Sequence, residues 1–258
     1  MSLRPKPPTH GGEDAIWQDV EFGAYAADLP LWEQLAAEAR GPVLELGSGC
    51  GRVAMHLAGA GHELIAVERD PELAAELERR ATERRQTGGG SVQVLAADIA
   101  APGWPARLQR PAALAIAPLQ VLQLLDGAQR IGALGQIGRA LGPGGRLAAT
   151  LVDESTIGGT GPSPPPAPDM REVEGWVYSS EPLWVQVSGE TLRMRRMRER
   201  VSPTGDLVRR VHDDVLHRVQ PEDLEREGTE AGLSPAGRRI IAEGDYEAGS
   251  VAVILERA

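Results

Sequence analysis

Residues 42–60 read PVLELGSGCGRVAMHLAGA, and this stretch decides the fold. The short apolar run Val43–Leu46 leads directly into Gly47, Gly49 and Gly51, after which apolar residues recur at helical spacing. The pattern predicts a strand, a glycine turn and a helix. Glycine is used where the chain needs a positive φ or where a ligand must approach bare backbone. Because the first N–H groups of a helix have no intrahelical partner, the turn predicts a site for a polar ligand.

The spacing of the glycines distinguishes two kinds of nucleotide-binding turn. The dinucleotide fingerprint reads G-x-G-x-x-G, whereas here the third glycine, Gly51, comes one residue early and Arg52 follows it. A G-x-G-x-G turn after an acidic strand end resembles motif I of the class I S-adenosylmethionine-dependent methyltransferases. The run E-L-G-S-G-C-G-R over residues 45–52 is especially similar to the small-molecule branch of that family, which is methyltransferase domain 25-like. From the turn alone, a generic nucleotide-binding protein is the alternative.

The resemblance implies S-adenosyl-L-methionine as the cofactor and S-adenosyl-L-homocysteine as its product. At the matching positions of this chain it implies cofactor contacts from the glycine turn, from the ends of the next two strands and from the segment after the fourth strand. These residues are Glu45, Gly47, Ser48, Gly49, Gly51, Arg52, Glu68, Arg69, Asp98, Ile99, Ala117, Pro118 and Gln123. It also implies that Leu119 and Gln120 contact the methyl acceptor.

Two acids follow predicted strands beyond the glycine turn. Residues 63–68 form the second predicted strand, and Glu68 lies about 20 residues past the turn, where a carboxylate accepts hydrogen bonds from ribose hydroxyls. Residues 92–96 form the third, and for the Asp98-Ile99 pair that follows the resemblance implies contact with the adenine amino group and ring. The alternatives are a solvated strand-end acid for Glu68 and an ordinary turn residue for Asp98.

The fourth predicted strand, residues 112–117, runs into A-P-L-Q-V-L-Q over residues 117–123, which is similar to the A-P-F-N-S-F-Q segment of the small-molecule branch. In that branch the backbone here faces the methionine part of the cofactor and the acceptor. The chain departs from the pattern at Leu119, which replaces an aromatic residue, and at Gln120, which replaces asparagine. For Gln120 and Gln123 the alternative is a polar residue on a helix face. The D/N-P-P-Y/F signature of enzymes that methylate DNA or protein nitrogens is missing, which favours a small-molecule acceptor.

The order of the predicted elements indicates the fold class. Alternating strands and helices predict an α/β, Rossmann-like doubly wound sheet, and the class I methyltransferase resemblance implies seven strands, with ligands at the carboxyl ends. A Pro- and Gly-rich break at residues 154–168 predicts a flexible loop in the position of a lid. After it, strand patterns at residues 175–179, 183–187, 191–201 and 207–219 predict a small antiparallel β-lobe inserted after the fifth strand.

The predicted division of the chain has four parts. They are an N-terminal arm or cap at residues 1–30, a cofactor-binding core at 31–153, the loop and β-lobe at 154–219, and a last helix and hairpin at 220–258. Helices are expected over residues 31–40, 71–85, 129–141 and 221–231, and further strands over 146–153, 238–242 and 250–256.

The N-terminal arm contains two segments of different composition. Residues 1–14 are rich in proline, glycine and charge, which predicts a loosely attached segment. Trp17, Phe22 and Tyr25 are expected to pin the following residues to the domain. In the resembling family this segment also closes over the cofactor, which makes Tyr25 a candidate site residue.

Composition argues against several function classes. The chain has 258 residues and a formal net charge of −10, so it lacks the overall basic character of a typical nucleic-acid-binding protein. Its single cysteine, Cys50, allows neither an intrachain disulfide nor a multi-cysteine metal site, which fits a reducing compartment. Neither a signal-peptide pattern nor an apolar run of about 18 residues occurs. We therefore expect a cytoplasmic monomer or homodimer with no nucleic-acid or membrane partner.

The predicted reaction is transfer of the sulfonium methyl group to an N or O of a small-molecule acceptor. Because the sulfonium is already a good electrophile, the protein mainly supplies in-line approach and desolvation, and a base is needed only for a protonated acceptor. The sequence therefore singles out no obligatory catalytic residue, and Tyr25, Tyr178 and His212 are candidates; an ordinary strand histidine is the alternative for His212. No histidine spacing indicates a zinc site, so no metal is predicted.

Two other functions compete with this interpretation. One is a non-catalytic protein that binds S-adenosylmethionine or a protein partner, which the acidic composition allows. The other is an NAD-dependent oxidoreductase, which Arg52 and the lack of a plausible Tyr-Lys or His-acid pair disfavour.

Overall fold

The computed structural model describes residue 8 and residues 12–157, 167–242 and 249–258. Within these ranges the strands form a seven-stranded sheet in the order β10-β11-β5-β4-β1-β2-β3 and a four-stranded β-lobe in the order β6-β7-β8-β9. The strands are β1 (Val43–Leu46), β2 (Leu64–Glu68), β3 (Val92–Ala96), β4 (Ala112–Ala117), β5 (Leu141–Val152), β6 (Asp169–Val173), β7 (Trp176–Ser188), β8 (Thr191–Val201), β9 (Leu207–His217), β10 (Leu233–Ile241) and β11 (Ser250–Arg257).

Two helices of the described ranges begin at their predicted start signals, Pro71 and Pro221, whereas the helices expected from residues 31 and 129 begin at Leu29 and Gly127, and the first helix was not predicted. Asp70 precedes Pro71, and its side chain accepts hydrogen bonds from the backbone N–H groups of Glu72 and Leu73, which caps the longest helix. The helices are α1 (Gly12–Phe22), α2 (Leu29–Glu38), α3 (Arg52–Gly59), α4 (Pro71–Thr87), α5 (Gly127–Ala140) and α6 (Pro221–Glu230). None of them has the length and apolar character that a membrane crossing needs.

The seven-stranded sheet confirms the predicted Rossmann-like fold and locates the ligand crevice. Strand β1 pairs in parallel with both β2 and β4, so the order of the strands reverses at β1. All residues of β1 and β2 are buried, as expected for parallel strands covered on both faces. In such open sheets, ligands bind outside the carboxyl ends of the strands at the point of reversal. That point is the glycine turn.

The antiparallel β-lobe was predicted, but two of its strands were not delimited correctly. Residues 175–179 and 183–187 belong to the single strand β7, which continues through Pro182. The pairing of β7 with β8 shifts register between Pro182 and Trp184, and such a bulge accommodates a residue that cannot donate to the ladder. The edge strand β6 was not predicted at all.

Two strands of the larger sheet begin earlier than the sequence suggested. Strand β10 begins at Leu233 rather than at residue 238, because the register shift after Pro235 lets the strand contain a proline. Strand β5 begins at Leu141, which pairs with Ala112 before the regular pairing that starts at Arg146.

Helix α1 lies between the core and the β-lobe. Its residues Ile16, Trp17 and Val20 form a small apolar cluster with Trp176 and Tyr178 of β7. The prediction of a loosely attached segment is wrong for residues 12–14, which form the first turn of α1. Residues 1–7 and 9–11 lie outside the described ranges.

A buried ion pair ties α1 to the β-lobe. The Glu21 side chain is 1% exposed, and it accepts hydrogen bonds of 2.7 Å from Arg198 and from Ser180. Burial alone would raise the pKa of Glu21, but the bonds and the charge of Arg198 outweigh it and lower this pKa below its usual value. On the core side, the Asp19 carboxylate lies 2.7 Å from the Arg80 guanidinium.

The predicted lid at residues 154–168 lies partly outside the described ranges, which omit residues 158–166. Residues Glu154–Thr156 form a short 3-10 turn, and the Glu154 carboxylate accepts a 2.6 Å hydrogen bond from Arg218 at the end of β9. Movement of this loop stays a prediction.

Candidate active site

Two cavities meet at the carboxyl ends of β1, β2 and β4. The first, of about 250 Å³, is lined by residues that follow β2 and β3, and we call it the Asp98 cavity. The second, also of about 250 Å³, is lined by the glycine turn, the segment after β4, α1 and the β-lobe, and we call it the Glu45 cavity. Both include Gln18, Gly47, Val121 and Leu124 in their walls, so the two cavities adjoin. A larger cavity of about 470 Å³ lies at the amino ends of the strands, away from the glycine turn.

The glycines of the turn have different tasks. All three have positive φ, with values of 62° for Gly47, 52° for Gly49 and 86° for Gly51. Gly47 and Gly49 line the Glu45 cavity, whereas a Cβ at Gly51 would lie 2.3 Å from Leu77 of α4. Gly51 is therefore required for the close packing of two helices and not for access to the cavity. Ser48 closes the turn by donating to the Glu45 carbonyl at 3.0 Å.

The acids predicted to bind the nucleoside both line the Asp98 cavity, as do Arg69 and Ile99. The carboxylate oxygens of Glu68 accept 2.8 Å hydrogen bonds from the backbone N–H groups of Gly49 and Asp70. A carboxylate has about four acceptor positions, so two remain for ribose hydroxyls. One oxygen of Asp98 accepts a 2.8 Å bond from the Ala100 N–H, which orients this exposed carboxylate.

The Glu45 cavity contains two buried polar groups whose chemistry is complementary to an amino acid. The Glu45 Oε2 and Arg52 Nε atoms are buried and have no hydrogen-bond partner among the residues that the structure describes. A carboxylate oxygen accepts from an ammonium group, and a guanidinium N–H donates to a carboxylate. Because buried polar atoms in native proteins nearly always have partners, the two atoms fit the amino and carboxyl groups of the methionine part of S-adenosylmethionine.

The acid–base state of Glu45 follows from its burial. Burial raises the pKa of Glu45 to about 8, although the charge of Arg52 acts in the opposite direction. At neutral pH the ligand-free carboxyl is therefore mostly protonated. A bound ammonium group would favour the ionised form and bring the pKa down.

Arg52 also holds the N-terminal arm. Its terminal nitrogens donate to the two carboxylate oxygens of Asp28 at 2.7 and 2.6 Å, and one of them donates to the Tyr25 carbonyl at 2.9 Å. The guanidinium carbon lies 5.2 Å from the centre of the Tyr25 ring. Within the described residues, Tyr25 contacts Arg52 and lines neither cavity. Tyr25 therefore supports Arg52, a predicted cofactor contact, from the side away from the Glu45 cavity.

The segment after β4 has a strained backbone. Leu119 and Gln120 adopt left-handed conformations, with φ of 49° and 60°, which cost about 1–3 kcal/mol each for residues other than glycine. The Gln120 N–H donates to Thr150 Oγ1 at 3.3 Å, and the Gln120 side chain donates to Ser250 Oγ at 3.0 Å. These bonds hold the segment against the Glu45 cavity, which Leu119, Gln120 and Pro118 all line.

Two residues predicted to contact the cofactor have structural surroundings instead. Gln123 is buried, its side chain donates to the His217 carbonyl at 3.1 Å, and it accepts from the Val152 N–H at 2.7 Å. Ala117 is fully buried within β4. Neither is among the residues that line the two cavities, because Gln123 turns toward β5 and β9.

The structure separates the two remaining catalytic candidates. Tyr178 is fully buried against Trp17, with ring centroids 5.2 Å apart, and its burial raises the pKa of its hydroxyl. It lines neither cavity, which argues against a catalytic role. His212 lines a third cavity of about 380 Å³ between α1 and the β-lobe, and its Nε2 lies 3.2 Å from Asp214 Oδ1. Asp214 in turn lines the Glu45 cavity.

Sequence reasoning missed the residues that α1 and the β-lobe bring to the cleft, namely Gln18, Asp19, Phe22, Gly23, Met194, Asp214 and Leu216. Gln18 lies over the glycine turn, where its Oε1 accepts a 3.0 Å hydrogen bond from the Cys50 N–H. The helical spacing of Ile16, Trp17 and Val20 was an available signal for α1. Met194 and Asp214 are direct partners across β8 and β9, and no local pattern reveals this register.

Cys50 lines the Glu45 cavity, but its thiol is not prepared to act as a nucleophile. Burial raises the pKa of the Cys50 thiol to about 12, so the thiolate needed for nucleophilic chemistry is scarce. Across the described ranges, no cluster of three or more His, Cys, Asp or Glu side chains is placed to hold a metal ion.

A family model described as a methyltransferase domain matches residues 43–145. The matched span begins with β1 and ends within β5, so it contains the glycine turn, Glu68, Asp98 and the Leu119–Gln120 segment. A search among curated proteins finds no match.

Solved structures resemble the chain over nearly its whole length. The sugar N-methyltransferase KedS8 from Streptoalloteichus sp ATCC 53650 has a TM-score of 0.70 at 20% identity and covers 100% of this chain and 98% of its own. DesVI from Streptomyces venezuelae has a TM-score of 0.70 at 14% identity, with coverages of 98% and 100%. The CcbJ methyltransferase from Streptomyces caelestis has a TM-score of 0.66 at 20% identity, with coverages of 92% and 98%. At these identities the likeness establishes the fold.

Proposed function

We propose, from the premise that this chain carries a methyltransferase domain on the class I S-adenosylmethionine-dependent fold, that it methylates an N or O of a small-molecule acceptor. The observation that carries the proposal is a pair of buried atoms, Glu45 Oε2 and Arg52 Nε, that have no hydrogen-bond partner within the described part of the chain and lie at a cavity that the glycine turn also lines. Their opposite chemistry matches both ends of an α-amino acid, which a nicotinamide dinucleotide does not have.

Each half of the cleft has a distinct task in this proposal. In the Asp98 cavity, Glu68 accepts from the ribose hydroxyls and Asp98 accepts from the adenine amino group. In the Glu45 cavity, Glu45 binds the amino group and Arg52 Nε donates to the carboxylate. When bound, the cofactor supplies an electrophilic sulfonium methyl group. Leu119, Gln120 and the β-lobe then orient the acceptor and exclude water from the path of transfer.

The size of the cleft favours a small acceptor. The Glu45 cavity of about 250 Å³ is walled by α1 on one side and by Met194, Asp214 and Leu216 of the β-lobe on another. Because this proposal also places the methionine part of the cofactor in the Glu45 cavity, only part of its volume is left for the acceptor, which favours a small substituent. The acidic chain does not favour nucleic acid. The similar structures include a sugar N-methyltransferase, which supports the same class of acceptor.

Calorimetric titration tests the proposed cofactor. S-adenosylmethionine and S-adenosylhomocysteine are expected to bind, and NADH is not. Replacing Glu68 by alanine should weaken both sulfur ligands by about 10- to 100-fold, because charge-assisted hydrogen bonds to the ribose are lost. Glu63→Ala is the matched control, since Glu63 precedes β2 at its other end and, among the described residues, has Arg110 as its ion-pair partner.

The titration has clear opposing outcomes. Since Glu68→Ala also removes two backbone contacts, Asp98→Ala serves as a second variant at an exposed position, whose side chain, among the described residues, accepts a hydrogen bond from the Ala100 N–H. Binding of NADH, or no binding of either sulfur ligand to the folded wild-type protein, would overturn the proposed function.

A further inference from the structure

The β-lobe presents one carboxylate to the acceptor side of the Glu45 cavity. Asp214 lies on β9 directly opposite Met194 of β8, and both residues line the cavity together with Leu119 and Gln120. The Asp214 side chain is 31% exposed, so it is accessible to a ligand yet partly shielded from bulk water. Its position on the β-lobe separates it from the predicted cofactor contacts of the core.

Apart from Glu45, which is mostly protonated at neutral pH, the charged side chains that line this cavity with Asp214 have partners of opposite charge. Arg52 is held by Asp28, and Asp19 is held by Arg80 and Arg171. Within the described residues, the ion-pair partner of Asp214 is His212 and not an arginine. Its oxygen Oδ1 lies 3.2 Å from His212 Nε2, which leaves Oδ2 for another donor.

The neighbouring residue, Asp213, is a carboxylate on the same strand that does not line the Glu45 cavity. Asp213 points to the opposite face of β9, as alternation along a strand requires. There Arg195 donates to both of its carboxylate oxygens at 2.6 Å, and Arg193 lies 3.7 Å away. The two adjacent aspartates thus differ in their partners. Asp213 is neutralised by Arg195, whereas Asp214 lines the cavity and, among the described residues, has His212 as its ion-pair partner.

We propose that Asp214 binds the amine of the methyl acceptor, and therefore that this protein recognises an amine-bearing small molecule as its acceptor. The ammonium form would first lose a proton to solvent, so that the neutral amine could attack the methyl carbon. The N–C bond would then form as the C–S bond breaks and S-adenosylhomocysteine leaves, and Asp214 would face the methylammonium cation that results. The inference rests on the proposed function and narrows the acceptor atom from N or O to N. A carboxylate gains more from an ammonium than from a neutral hydroxyl, because the hydrogen bond is charge-assisted. Among the described residues that line the cavity, Arg52 is the one lysine or arginine, and its pairing with Asp28 works in the same direction.

Sinefungin provides a direct probe of this carboxylate. In sinefungin a carbon that bears a primary amine replaces the methylated sulfur of S-adenosylmethionine, so its ammonium points to the acceptor side, whereas S-adenosylhomocysteine has no group there. The experiment measures the dissociation constants of both ligands by calorimetry for the wild type, Asp214→Asn, Asp214→Glu and the control Asp213→Asn.

The expected result is a loss confined to one ligand. Asp214→Asn should weaken sinefungin about tenfold and leave S-adenosylhomocysteine unchanged, because only sinefungin presents an ammonium. Asp214→Glu should keep part of the preference, and Asp213→Asn should keep all of it. Unchanged S-adenosylhomocysteine binding also demonstrates that each variant is folded.

Equal effects on both ligands, or no effect of Asp214→Asn on sinefungin, would overturn the inference while leaving the proposed function intact. If the folded wild type bound neither ligand, the proposed function itself would fail. The two failures are therefore distinguishable.

Discussion

The Asp98 cavity and the Glu45 cavity adjoin, yet they are built in different ways. The Asp98 cavity is made mostly of residues at the ends of β2 and β3 and just beyond them, and of its lining residues only Gln18 lies outside the matched methyltransferase domain. The Glu45 cavity adds α1 and two strands of the β-lobe to the glycine turn. The comparison teaches that the nucleoside half of the cleft depends on strand ends, whereas the acceptor half depends on how distant elements dock.

The largest expected effect is on the pH dependence of the free energy of unfolding, and it comes from Glu45 in the Glu45 cavity. Its folded pKa of about 8 exceeds the usual 4.5, so between these values the folded protein retains a proton that the unfolded chain has lost. The free energy of unfolding therefore falls as pH rises across that window. Glutamine does not titrate, so we expect Glu45→Gln to lack this decrease. At pH 8.5 the free energy of unfolding of the variant should therefore exceed that of the wild type by on the order of 4 kcal/mol, relative to their difference at acidic pH.

Urea denaturation of the wild type and of Glu45→Gln from pH 4.5 to 8.5 measures how the difference between their free energies of unfolding changes with pH. The pH-dependent part of this difference should be absent at pH 4.5. Saturating S-adenosylhomocysteine should shrink it, because the ligand ammonium stabilises the ionised carboxyl. Parallel stability curves with no divergence would contradict the assigned state of Glu45.

A substitution at Gly51 should lower the free energy of unfolding although Gly51 lines neither the Asp98 cavity nor the Glu45 cavity. Gly51→Ala combines a left-handed conformation with a Cβ 2.3 Å from the buried Leu77. We expect the free energy of unfolding to fall by about 3 kcal/mol, from backbone strain plus overpacking. Denaturant titration measures this loss.

Gly144→Ala is the control for that change, because Gly144 also has positive φ but has no atom within 4 Å of the added Cβ. It should lose only the strain, about 1 kcal/mol. Equal losses in the two variants would show that packing against α4 is not what Gly51 is needed for.

The smallest of the three effects concerns the docking of α1. Glu21→Gln weakens the bonds to Arg198 and Ser180, and we expect a loss of about 2 kcal/mol together with faster hydrogen exchange in α1. Because the folded pKa of Glu21 is lowered, its contribution is present above pH 4.5 and is lost as pH falls through the folded pKa.

Exchange measured by mass spectrometry at neutral pH provides the test, with Glu33→Gln as the control. Glu33 is 52% exposed and pairs with His56 at the surface, where such pairs contribute little. Unchanged protection of α1 in Glu21→Gln would show that the ion pair does not hold the helix.

The accuracy of sequence reasoning differed between the same two regions. Strands β1, β3 and β4 have the predicted limits, because short apolar runs bounded by glycine, proline or acids are local signals. The placement of Glu68 and Asp98 at one cavity followed from the rule that parallel strands present their carboxyl ends together. Strand β7 was divided in two because Pro182 reads as a strand end unless the partner strand supplies a bulge.

The sequence by itself determined the alternating strands and helices of the α/β core, the glycine turn and the acids that follow β2 and β3, whereas the number of strands came from the resemblance to class I methyltransferases. Each of these depends on the conformational preferences and apolar pattern of a few consecutive residues. The tertiary structure alone decided that Gln18 lies over the turn, that Tyr178 is enclosed by α1, and that Asp214 faces the cavity while Asp213 does not. These positions depend on strand register and helix docking, which join residues far apart in the chain and leave no local pattern.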